Sequence, residues 1–527
     1  MEQVQPVVIA GAGPVAMIAA LLLARWHVPT VLLEAKAVRD AIGSKAICFQ
    51  RDVLDILDRV GCAQQAVAEG VTWRRGLTFY RDHELFETSF PEVGQSAFPP
   101  FINLSQSTLE RYLFERVAAE PLIDVRFGHR VVGLDQDDEG VTVDAETTAG
   151  NLQVTGPYLL GCDGAGSAVR KLLGLPFDGH SFDEQFLIAD ILADLPFPTE
   201  RRFYFDPPWN PGRQVLVHPQ PRSLWRIDWQ VPADFDLDHA RASGELDARI
   251  RMITSDAPYE IDWVSVYRFH QRIVPSYRVG RVLLAGDAAH LMSPFGARGL
   301  NSGAQDAENA AWKLAFALHG WAGERLLDSY HSERRAAGCE NLRVTDETMR
   351  FLVPSDETQW ARRRELLERA VTDSVARTQV NSGKLAEPYW YLDSPLTTPS
   401  GDTSGFPREA AVERPAVPGV LCPDAPCRVA GRPAVRRLRQ LFGGGFVLLV
   451  HGPDVARPAV PHPPVQVHHL AQIGVGGPDA LAQALDVAPG DAILVRPDGH
   501  IAAVVDAADP TAVAAAVARA CGQPVAA

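Results

Sequence analysis

The sequence predicts an α/β protein in which a parallel sheet is interrupted by a β-rich insertion. Three segments, residues 7–34, 158–170 and 281–303, each contain an apolar run followed by a turn of small residues and a helical pattern. Between the last two, residues 181–270 change to the period-two alternation of half-buried strands. Because alternating strands and helices are typical of a doubly wound sheet, residues 1–180 and 271–380 are predicted to form one domain.

The first segment carries the glycine fingerprint of a nucleotide-binding β-α-β unit. Gly11 is expected to make the tight turn, and Gly13 to let a pyrophosphate approach the backbone. Pro14 and Ala16 complete the motif, whose third position needs only a small residue for packing. Glu34 follows at the end of the second strand, where a carboxylate binds ribose hydroxyls. An acidic residue there favours FAD or NAD over NADP. The β-α-β fingerprint as a whole predicts a Rossmann-like domain.

The other two segments place acidic residues at the ends of strands. Asp163 and Gly164 precede a helix start, where Asp163 either contacts a cofactor or forms a structural ion pair with Arg170. In the late segment the strand-end carboxylate can accept from a ribitol hydroxyl, and the following helix start can face an anion or a ring edge. The candidate cofactor contacts of this late segment are Asp287, Pro294, Gly296, Arg298, Gly299, Leu300 and Asn301.

With these three motifs in this order, the chain resembles the single-component (class A) flavoprotein aromatic hydroxylases. Phenol hydroxylase, 3-(3-hydroxyphenyl)propionate hydroxylase and the aromatic polyketide hydroxylases share the pattern, over roughly residues 5–375. The resemblance implies FAD as cofactor, NADPH or NADH as co-substrate, and hydroxylation of a phenolic substrate by O₂ through a flavin C4a-hydroperoxide. The alternative is a flavin epoxidase or Baeyer–Villiger-type oxygenase that tailors an aromatic polyketide, because such an enzyme carries the same motifs.

The resemblance also implies roles for individual residues. Asp287 would hold the ribitol, and Pro294 would lie beside the reacting ring. Gln106, at a predicted helix start, corresponds to a glutamine that contacts the flavin. Two positions depart from the family pattern: Lys45 stands where an arginine is usual, and Arg298 stands where a glutamine is common in the late loop. Arg298 would stabilise a reduced, anionic flavin if it points inward.

The β-rich residues 181–270 are predicted to supply the opposite wall of the substrate pocket. Their alternation puts Arg226 and Asp228 on one face of a strand and Trp225 and Trp229 on the other, so the aromatic face either covers the substrate or packs in the core. His218 is preferred as the group that accepts the phenol proton, because histidine titrates near working pH. The candidate catalytic residues are His218, Pro294, Arg226 and Tyr204.

The remaining chain is predicted to be a linker, residues 381–433, and a small α/β module, residues 434–527, that resembles the thioredoxin-like domain of the phenol hydroxylase branch. Cys422 and Cys427 do not form a Cys-x-x-Cys motif, so a redox role is not expected. Three neighbouring histidines of this region lack companion carboxylates or thiols, so no metal site is predicted from them; they are His462, His468 and His469.

Composition sets limits on the partners and the compartment. The 527 residues include 50 basic and 65 acidic side chains, and the net charge of −15 argues against nucleic acid as a partner. No apolar run approaches the roughly 18 residues of a membrane span, and the seven cysteines are scattered as reduced thiols would be. We therefore expect a cytoplasmic monomer or homodimer that binds a small aromatic substrate and O₂.

Overall fold

The computed structural model describes residues 5–39, 46–90, 96–255, 257–399, 416–452 and 463–524. Its strands are β1 (Val7–Ala10), β2 (Thr30–Glu34), β3 (Cys48–Gln50), β4 (Arg75–Tyr80), β5 (His83–Ser89), β6 (Phe101–Asn103), β7 (Ile123–Phe127), β8 (Arg130–Gln136), β9 (Val141–Thr147), β10 (Gly150–Gly156), β11 (Leu159–Gly161), β12 (Asp178–Ala193), β13 (Arg201–Phe205), β14 (Gln214–Pro219), β15 (Leu224–Val231), β16 (Tyr259–Ile273), β17 (Arg278–Val279), β18 (Val282–Leu284), β19 (His290–Leu291), β20 (Phe446–Val450), β21 (Val465–His469), β22 (Asp491–Val495) and β23 (Ile501–Asp506). Its α-helices are α1 (Pro14–Arg25), α2 (Arg51–Arg59), α3 (Ala63–Glu69), α4 (Gln106–Ala119), α5 (Ala168–Leu172), α6 (Leu237–Ser243), α7 (Glu245–Thr254), α8 (Arg298–Leu318), α9 (Glu324–Leu352), α10 (Glu357–Ala370), α11 (Ser374–Thr378), α12 (Leu470–Ile473), α13 (Ala480–Ala484) and α14 (Pro510–Ala520).

The three turns predicted from the sequence follow three strands of one sheet, and they lie at the same edge of that sheet. This six-stranded sheet has the order β17-β18-β11-β1-β2-β7, with β18, β11, β1, β2 and β7 parallel to one another. The register pairs Ala10 with Gly161, and Gly161 with Leu284, so the carboxyl ends of β1, β11 and β18 lie side by side. Ligands of open α/β sheets bind outside the carboxyl ends of the strands, which places a binding site at this edge.

The β-rich insertion forms a second sheet of eight strands, in the order β19-β16-β12-β15-β14-β13-β4-β5. The predicted range of residues 181–270 omits three of its strands. β19 comes from residues 290–291, and β4 and β5 come from residues 75–89, where β4 pairs in parallel with β13. The hairpin between β4 and β5 turns at Arg81, whose φ is +53°, without the glycine or asparagine that usually signals such a turn. The sequence therefore carried no clear sign of this hairpin.

The alternation predicted along β15 is observed, and it separates the two faces of the second sheet. Trp225, Ile227 and Trp229 are buried in one apolar cluster with Leu246 and Ile250 of α7. Burying one such tryptophan contributes roughly 4–6 kcal/mol by area, an upper bound. The aromatic face is thus the core of the insertion, and it is the polar face of β15 that is turned toward the binding site.

Residues 381–433, predicted as a linker, pack against the first domain over the part that the structure describes. Tyr391 is buried, and its hydroxyl accepts a hydrogen bond from Arg334 Nη1 at 2.9 Å. The backbone of Tyr391 also donates to the carbonyl of Gly419. Chain that is fixed by buried side chains and backbone bonds does not behave as a free linker, so this prediction is corrected for residues 381–399 and 416–433.

The C-terminal module contains a four-stranded sheet of order β21-β20-β22-β23, in which β20 and β21 are parallel and the other neighbours are antiparallel. Buried ion pairs join the module to the first domain. Glu333 of α9 accepts from both Nη atoms of Arg496, at 2.6 and 2.9 Å, and from Lys313 Nζ at 2.6 Å. Removing one partner of such a group leaves an uncompensated buried charge, so the network fixes the module in place.

None of the helices in the described ranges has the length and apolar character of a membrane span. The seven cysteines are all free, and Cys422 and Cys427 lie in the apolar core of the C-terminal module.

Candidate active site

A cavity of about 1510 Å³ is lined by residues of both large sheets. Its volume exceeds the roughly 300–1,000 Å³ of a pocket for one drug-sized ligand, so it has room for a dinucleotide and a second molecule. The turns after β1, β11 and β18 form one wall, which we call the nucleotide wall. Side chains on the polar face of the eight-stranded sheet form the other, which we call the substrate wall.

The glycine loop after β1 has the geometry that a bound pyrophosphate needs. Gly11 has φ +98°, and a Cβ atom there would lie 2.6 Å from the carbonyl oxygen of Cys162, so this position accepts only glycine. Gly13 lines the cavity, and a Cβ atom built on it meets nothing within 4 Å. The first-turn N–H groups of α1 lack intrahelical acceptors, which makes this helix start an anion site. These residues fit the phosphate groups of FAD.

Glu34 and Ala16 support this loop from behind the cavity. The two carboxylate oxygens of Glu34 accept from the backbone N–H groups of Ala12 and Lys36, each at 2.9 Å. Ala16 is fully buried within α1. Neither residue is among the described residues that line the cavity, although Pro14 is. Glu34 therefore holds the glycine loop to the end of β2, at the position predicted for ribose recognition.

The turn after β18 is fixed by a buried carboxylate that the sequence analysis missed. Asp306 of α8 accepts from Gly286 N at 3.0 Å and from Arg334 Nε at 2.6 Å, and it lies 2.7 Å from His290 Nε2. Burial alone would raise the pKa of Asp306, but the charges of Arg334 and His290 lower this pKa to about 2. The adjacent Asp287 lines the cavity, as predicted for the residue that holds the ribitol.

The start of α8 continues the nucleotide wall. Pro294, Gly296, Gly299 and Leu300 line the cavity. Gly296 has φ +96°, and a Cβ atom there would lie 2.2 Å from the carbonyl oxygen of Lys384, so the loop and residues 381–390 are packed closely.

Arg298 and Asn301 are both held by protein groups. Arg298 lines the cavity, but its guanidinium donates to Asn341 Oδ1 at 2.5 Å and to the carbonyls of Lys384 and Leu385 at 3.4 Å. Burial lowers the pKa of Arg298 to about 10. The Asn301 side chain donates to Cys48 O at 2.9 Å and accepts from Gln50 N at 3.1 Å, which clamps β3 against α8.

The two residues of the central Asp-Gly turn, both predicted to contact the cofactor, differ in the structure. Gly164 lines the cavity, whereas Asp163 is not among the described residues that line it. The Asp163 carboxylate accepts from Ser167 Oγ and from the backbone N–H groups of Ala168 and Val169, at 2.5, 2.6 and 3.1 Å, so it caps α5. Arg170, its predicted ion-pair partner, donates instead to backbone carbonyls, those of Ala165 and Ala288.

Of the two residues that the resemblance singled out, Gln106 and Lys45, the structure describes only Gln106. Gln106 lines the cavity, where it accepts from Ala46 N at 3.0 Å and donates to Glu110 Oε1 at 2.7 Å. Lys45 lies outside the described residues.

On the substrate wall the structure brings together His218 and Arg226 but not Tyr204. His218 and Arg226 are register partners on β14 and β15, and both line the cavity. Tyr204 stacks on Phe79 with ring centroids 4.8 Å apart, and is not among the described residues that line the cavity. The correction follows from the pleat of β13, which points Arg201 and Tyr204 to opposite faces of the sheet.

Arg226 is engaged by a carboxylate from the neighbouring strand. Its Nε and Nη2 atoms donate to the two oxygens of Asp190, at 2.8 and 2.7 Å, and both side chains are buried. Gln220 Nε2 donates to the same carboxylate at 3.3 Å. Because a bidentate pair satisfies both charges, Arg226 acts here as a fixed structural cation.

Asp228, rather than His218, has a pKa near neutral pH. Burial, and then the charges of Arg201 and Arg226, hold the pKa of His218 well below its usual value. Burial raises the pKa of Asp228 to about 7, although the charge of Arg226 opposes this rise. His218 Nε2 and Asp228 Oδ2 are 3.8 Å apart, beyond hydrogen-bond distance. His218 is therefore neutral at pH 7, whereas Asp228 is poised to exchange a proton.

Aromatic side chains join the two walls. Phe295, in the loop before α8, lies 5.4 Å from Phe186 and 6.1 Å from Phe269, measured between ring centroids. Phe186, Phe269 and Phe295 all line the cavity, so an apolar surface surrounds the polar groups. Asp228 and Arg201 were not predicted as site residues from the sequence, although the alternation along β15 already put Asp228 on the same face as Arg226.

Comparison with known proteins identifies the family. A family model described as "FAD binding domain" matches residues 4–345, and one described as "Aromatic-ring hydroxylase, C-terminal" matches residues 415–524. The chain belongs to the FAD-dependent aromatic-ring hydroxylases. The predicted resemblance is thereby confirmed, and this hydroxylase is an NAD(P)H-dependent flavoprotein monooxygenase with FAD as its cofactor.

Similar proteins cover most of the chain. Para-nitrophenol 4-monooxygenase of Pseudomonas sp. (strain WBC-3) is 30% identical over 389 residues, 72% of this chain and 95% of that protein. 6-Methylpretetramide 4-monooxygenase of Streptomyces rimosus is 31% identical over 523 residues, 94% of this chain and 90% of that protein. The crystal structure of the flavin-dependent monooxygenase PieE in complex with FAD and substrate matches with a TM-score of 0.84 at 26% identity, covering 99% of this chain and 100% of PieE.

Proposed function

We propose that this hydroxylase adds one hydroxyl group to the ring of a phenolic substrate that binds against the substrate wall. The observation that carries the proposal is the cavity itself, in which a glycine-lined wall for a dinucleotide faces a wall of ionisable side chains within an aromatic surround. Para-nitrophenol 4-monooxygenase is named for a phenol, which supports the same substrate class.

The residues of the nucleotide wall would hold FAD by its separate parts. Gly13 and the start of α1 would bind the pyrophosphate, and Asp287 would accept from the ribitol. Gly299 and Leu300, at the start of α8, would cradle the ring. When bound, FAD supplies the redox chemistry, taking hydride from NAD(P)H and activating O₂ for transfer to the substrate.

The remaining groups would orient the substrate and exclude water. Pro294 and the three phenylalanines described above give the ring an apolar surface, and the polar groups of the substrate wall lie at one end for its hydroxyl. Exclusion of water strengthens every electrostatic interaction in such a site. We also propose that the C-terminal module is thioredoxin-like, which the order of its sheet, with one parallel and two antiparallel pairings, supports.

A panel of phenols and phenolic acids tests the proposal. The purified protein should be yellow with one FAD per chain, and a productive phenol should accelerate NAD(P)H consumption in air. The product should gain one oxygen by mass and keep an intact, further substituted ring by NMR. NAD(P)H consumption that no aromatic compound stimulates would contradict the proposal, and a ring-expanded or epoxide product would instead support the alternative oxygenase.

A further inference from the structure

We propose that Asp228 accepts the proton of the substrate's phenolic hydroxyl and that Arg201 binds the resulting phenolate oxygen. This inference rests on the proposed function and assigns two residues of the substrate wall to it. Both side chains line the cavity, Arg201 from the start of β13 and Asp228 from the middle of β15.

Asp228 is placed as an acceptor with free capacity. Its Oδ1 atom is buried and has no hydrogen-bond partner among the described residues, while Oδ2 lies 3.8 Å from His218 Nε2. A buried polar atom without a partner costs stability, and a ligand that donates a hydrogen bond to it would remove that cost. A phenolic O–H group is a donor of the required kind.

Arg201 is a cation that still has donors to offer. Its Nη2 atom donates to the carbonyl oxygen of Ser382 at 3.0 Å, which fixes the guanidinium at the cavity. Burial lowers the pKa of Arg201 to about 10, so the side chain is charged at neutral pH. A guanidinium carries five N–H donors, and the bond to Ser382 occupies one of them, which leaves others for a ligand oxygen.

The proton transfer conserves the charge of the site. The O–H bond of the phenol breaks, its electron pair stays on the phenol oxygen, and a new O–H bond forms on Asp228 Oδ1. No group is oxidised or reduced. One negative charge lies near Arg201 before and after the step, first on the carboxylate and then on the phenolate, so a buried site avoids an uncompensated charge.

Asp228 fits this role better than its charged and titratable neighbours. Arg226 and Asp190 are engaged with each other, and His218 is held neutral by burial and by the charges of Arg201 and Arg226. Burial raises the pKa of Asp228 to about 7, the range in which a general base is most effective. Other ionisable groups also line the cavity, among them Cys48, Tyr267, Arg268 and His270.

Proton uptake on binding tests the assignment without turnover. 4-Nitrophenol is the probe, added to the oxidised FAD-loaded enzyme in weak buffer at about pH 8, where the free probe is largely ionised. Because the site favours a single negative charge, each nitrophenolate bound to the wild type should bring about one proton from solvent onto Asp228. A pH-indicator dye measures the uptake, and the nitrophenolate absorption band measures binding.

Four variants identify the group that takes up the proton. Asp228→Asn should bind nitrophenolate with no proton uptake, Arg201→Gln should bind it at least about tenfold more weakly, and exposed Asp194→Asn should match the wild type. The assignment is overturned if the wild type binds nitrophenolate without uptake, or if uptake persists in Asp228→Asn and disappears in His218→Asn.

Turnover gives a second, independent readout. With a productive phenol from the panel, the wild-type hydroxylation rate should rise with pH through about 7 as Asp228 ionises. Asp228→Asn should lose that rise and about 100-fold in rate while it keeps FAD, the scale of general-base catalysis. A wild-type rate and pH profile in Asp228→Asn refutes the assignment and leaves the proposed function standing, whereas the absence of a productive phenol for the wild type refutes the proposed function itself.

Discussion

The two walls of the cavity use buried charge in opposite ways. On the nucleotide wall the ligand would meet backbone groups and Asp287, and the buried Asp306 lies behind them, where Gly286, His290 and Arg334 surround it. On the substrate wall the ionisable side chains themselves line the cavity, and one oxygen of Asp228 has no partner in the described chain.

The pKa values of the two carboxylates express this difference. The Asp306 pKa is lowered to about 2, since its neighbours outweigh the effect of burial, whereas burial raises the Asp228 pKa to about 7. A carboxylate with all its partners stabilises the fold and stays charged. A carboxylate short of partners costs stability and is left able to react, which is the arrangement found at functional sites.

The largest effect should come from Gly13→Val on the nucleotide wall. The Cβ position of Gly13 points into open space at the cavity, so the valine side chain would occupy the volume of the pyrophosphate without disturbing the protein. We expect a folded, colourless protein whose NAD(P)H-dependent activity is at background. Absorption spectra and thermal melting measure the two properties, and full FAD occupancy in this variant would refute the role of the loop.

Next, Asp306→Ala should destabilise the protein by about 3–5 kcal/mol, because it leaves Arg334 buried without its carboxylate. The Asp306 pKa is lower in the folded state than in the unfolded chain, so its contribution is complete above about pH 4 and is lost as the pH falls toward 2. Denaturant titrations at pH 7 and pH 3 measure the effect. Exposed Asp124→Ala is the control, and an equal loss in both variants would contradict the prediction.

Asp287→Ala should weaken FAD binding by roughly 1.5–3 kcal/mol, since a charged acceptor for a ribitol hydroxyl is lost. Asp163→Ala is the informative comparison, because Asp163 caps α5 and should affect thermal stability more than flavin affinity. Fluorescence titration of the apoprotein with FAD measures the affinity of both. If Asp287→Ala keeps wild-type affinity, Asp287 serves only the turn.

The smallest effect is expected from Tyr204→Phe. Tyr204 stacks on Phe79 on the face of the second sheet that is turned away from the cavity, and its hydroxyl accepts from Arg202 Nη1 at 3.3 Å. We expect the ratio of product to NAD(P)H consumed to change by less than about twofold, as is usual for substitutions away from a site. A large loss of coupling would mean that the substrate wall extends to this face.

Local motifs were predictable because their function depends on residues close together in the chain. Gly11, Gly13 and Asp287 lie on strand-to-helix turns, and each turn was recognised from the apolar run before it and the helical pattern after it. The roles of Arg298 and Asn301 were not predictable in the same way. Their partners, Asn341 and Cys48, come from α9 and β3, and residue spacing carries no information about such contacts.

The sequence by itself determined the parallel sheet, the dinucleotide loop, the cofactor class and the alternation along β15, because all of these follow from local geometry with a fixed period or spacing. Only the tertiary structure decided that the polar face of β15 lines the cavity, that Asp190 engages Arg226, and that Asp228 rather than His218 titrates near neutral pH. The physical reason is that a side chain's charge state depends on its burial and on neighbours from other strands, which only the folded chain brings together.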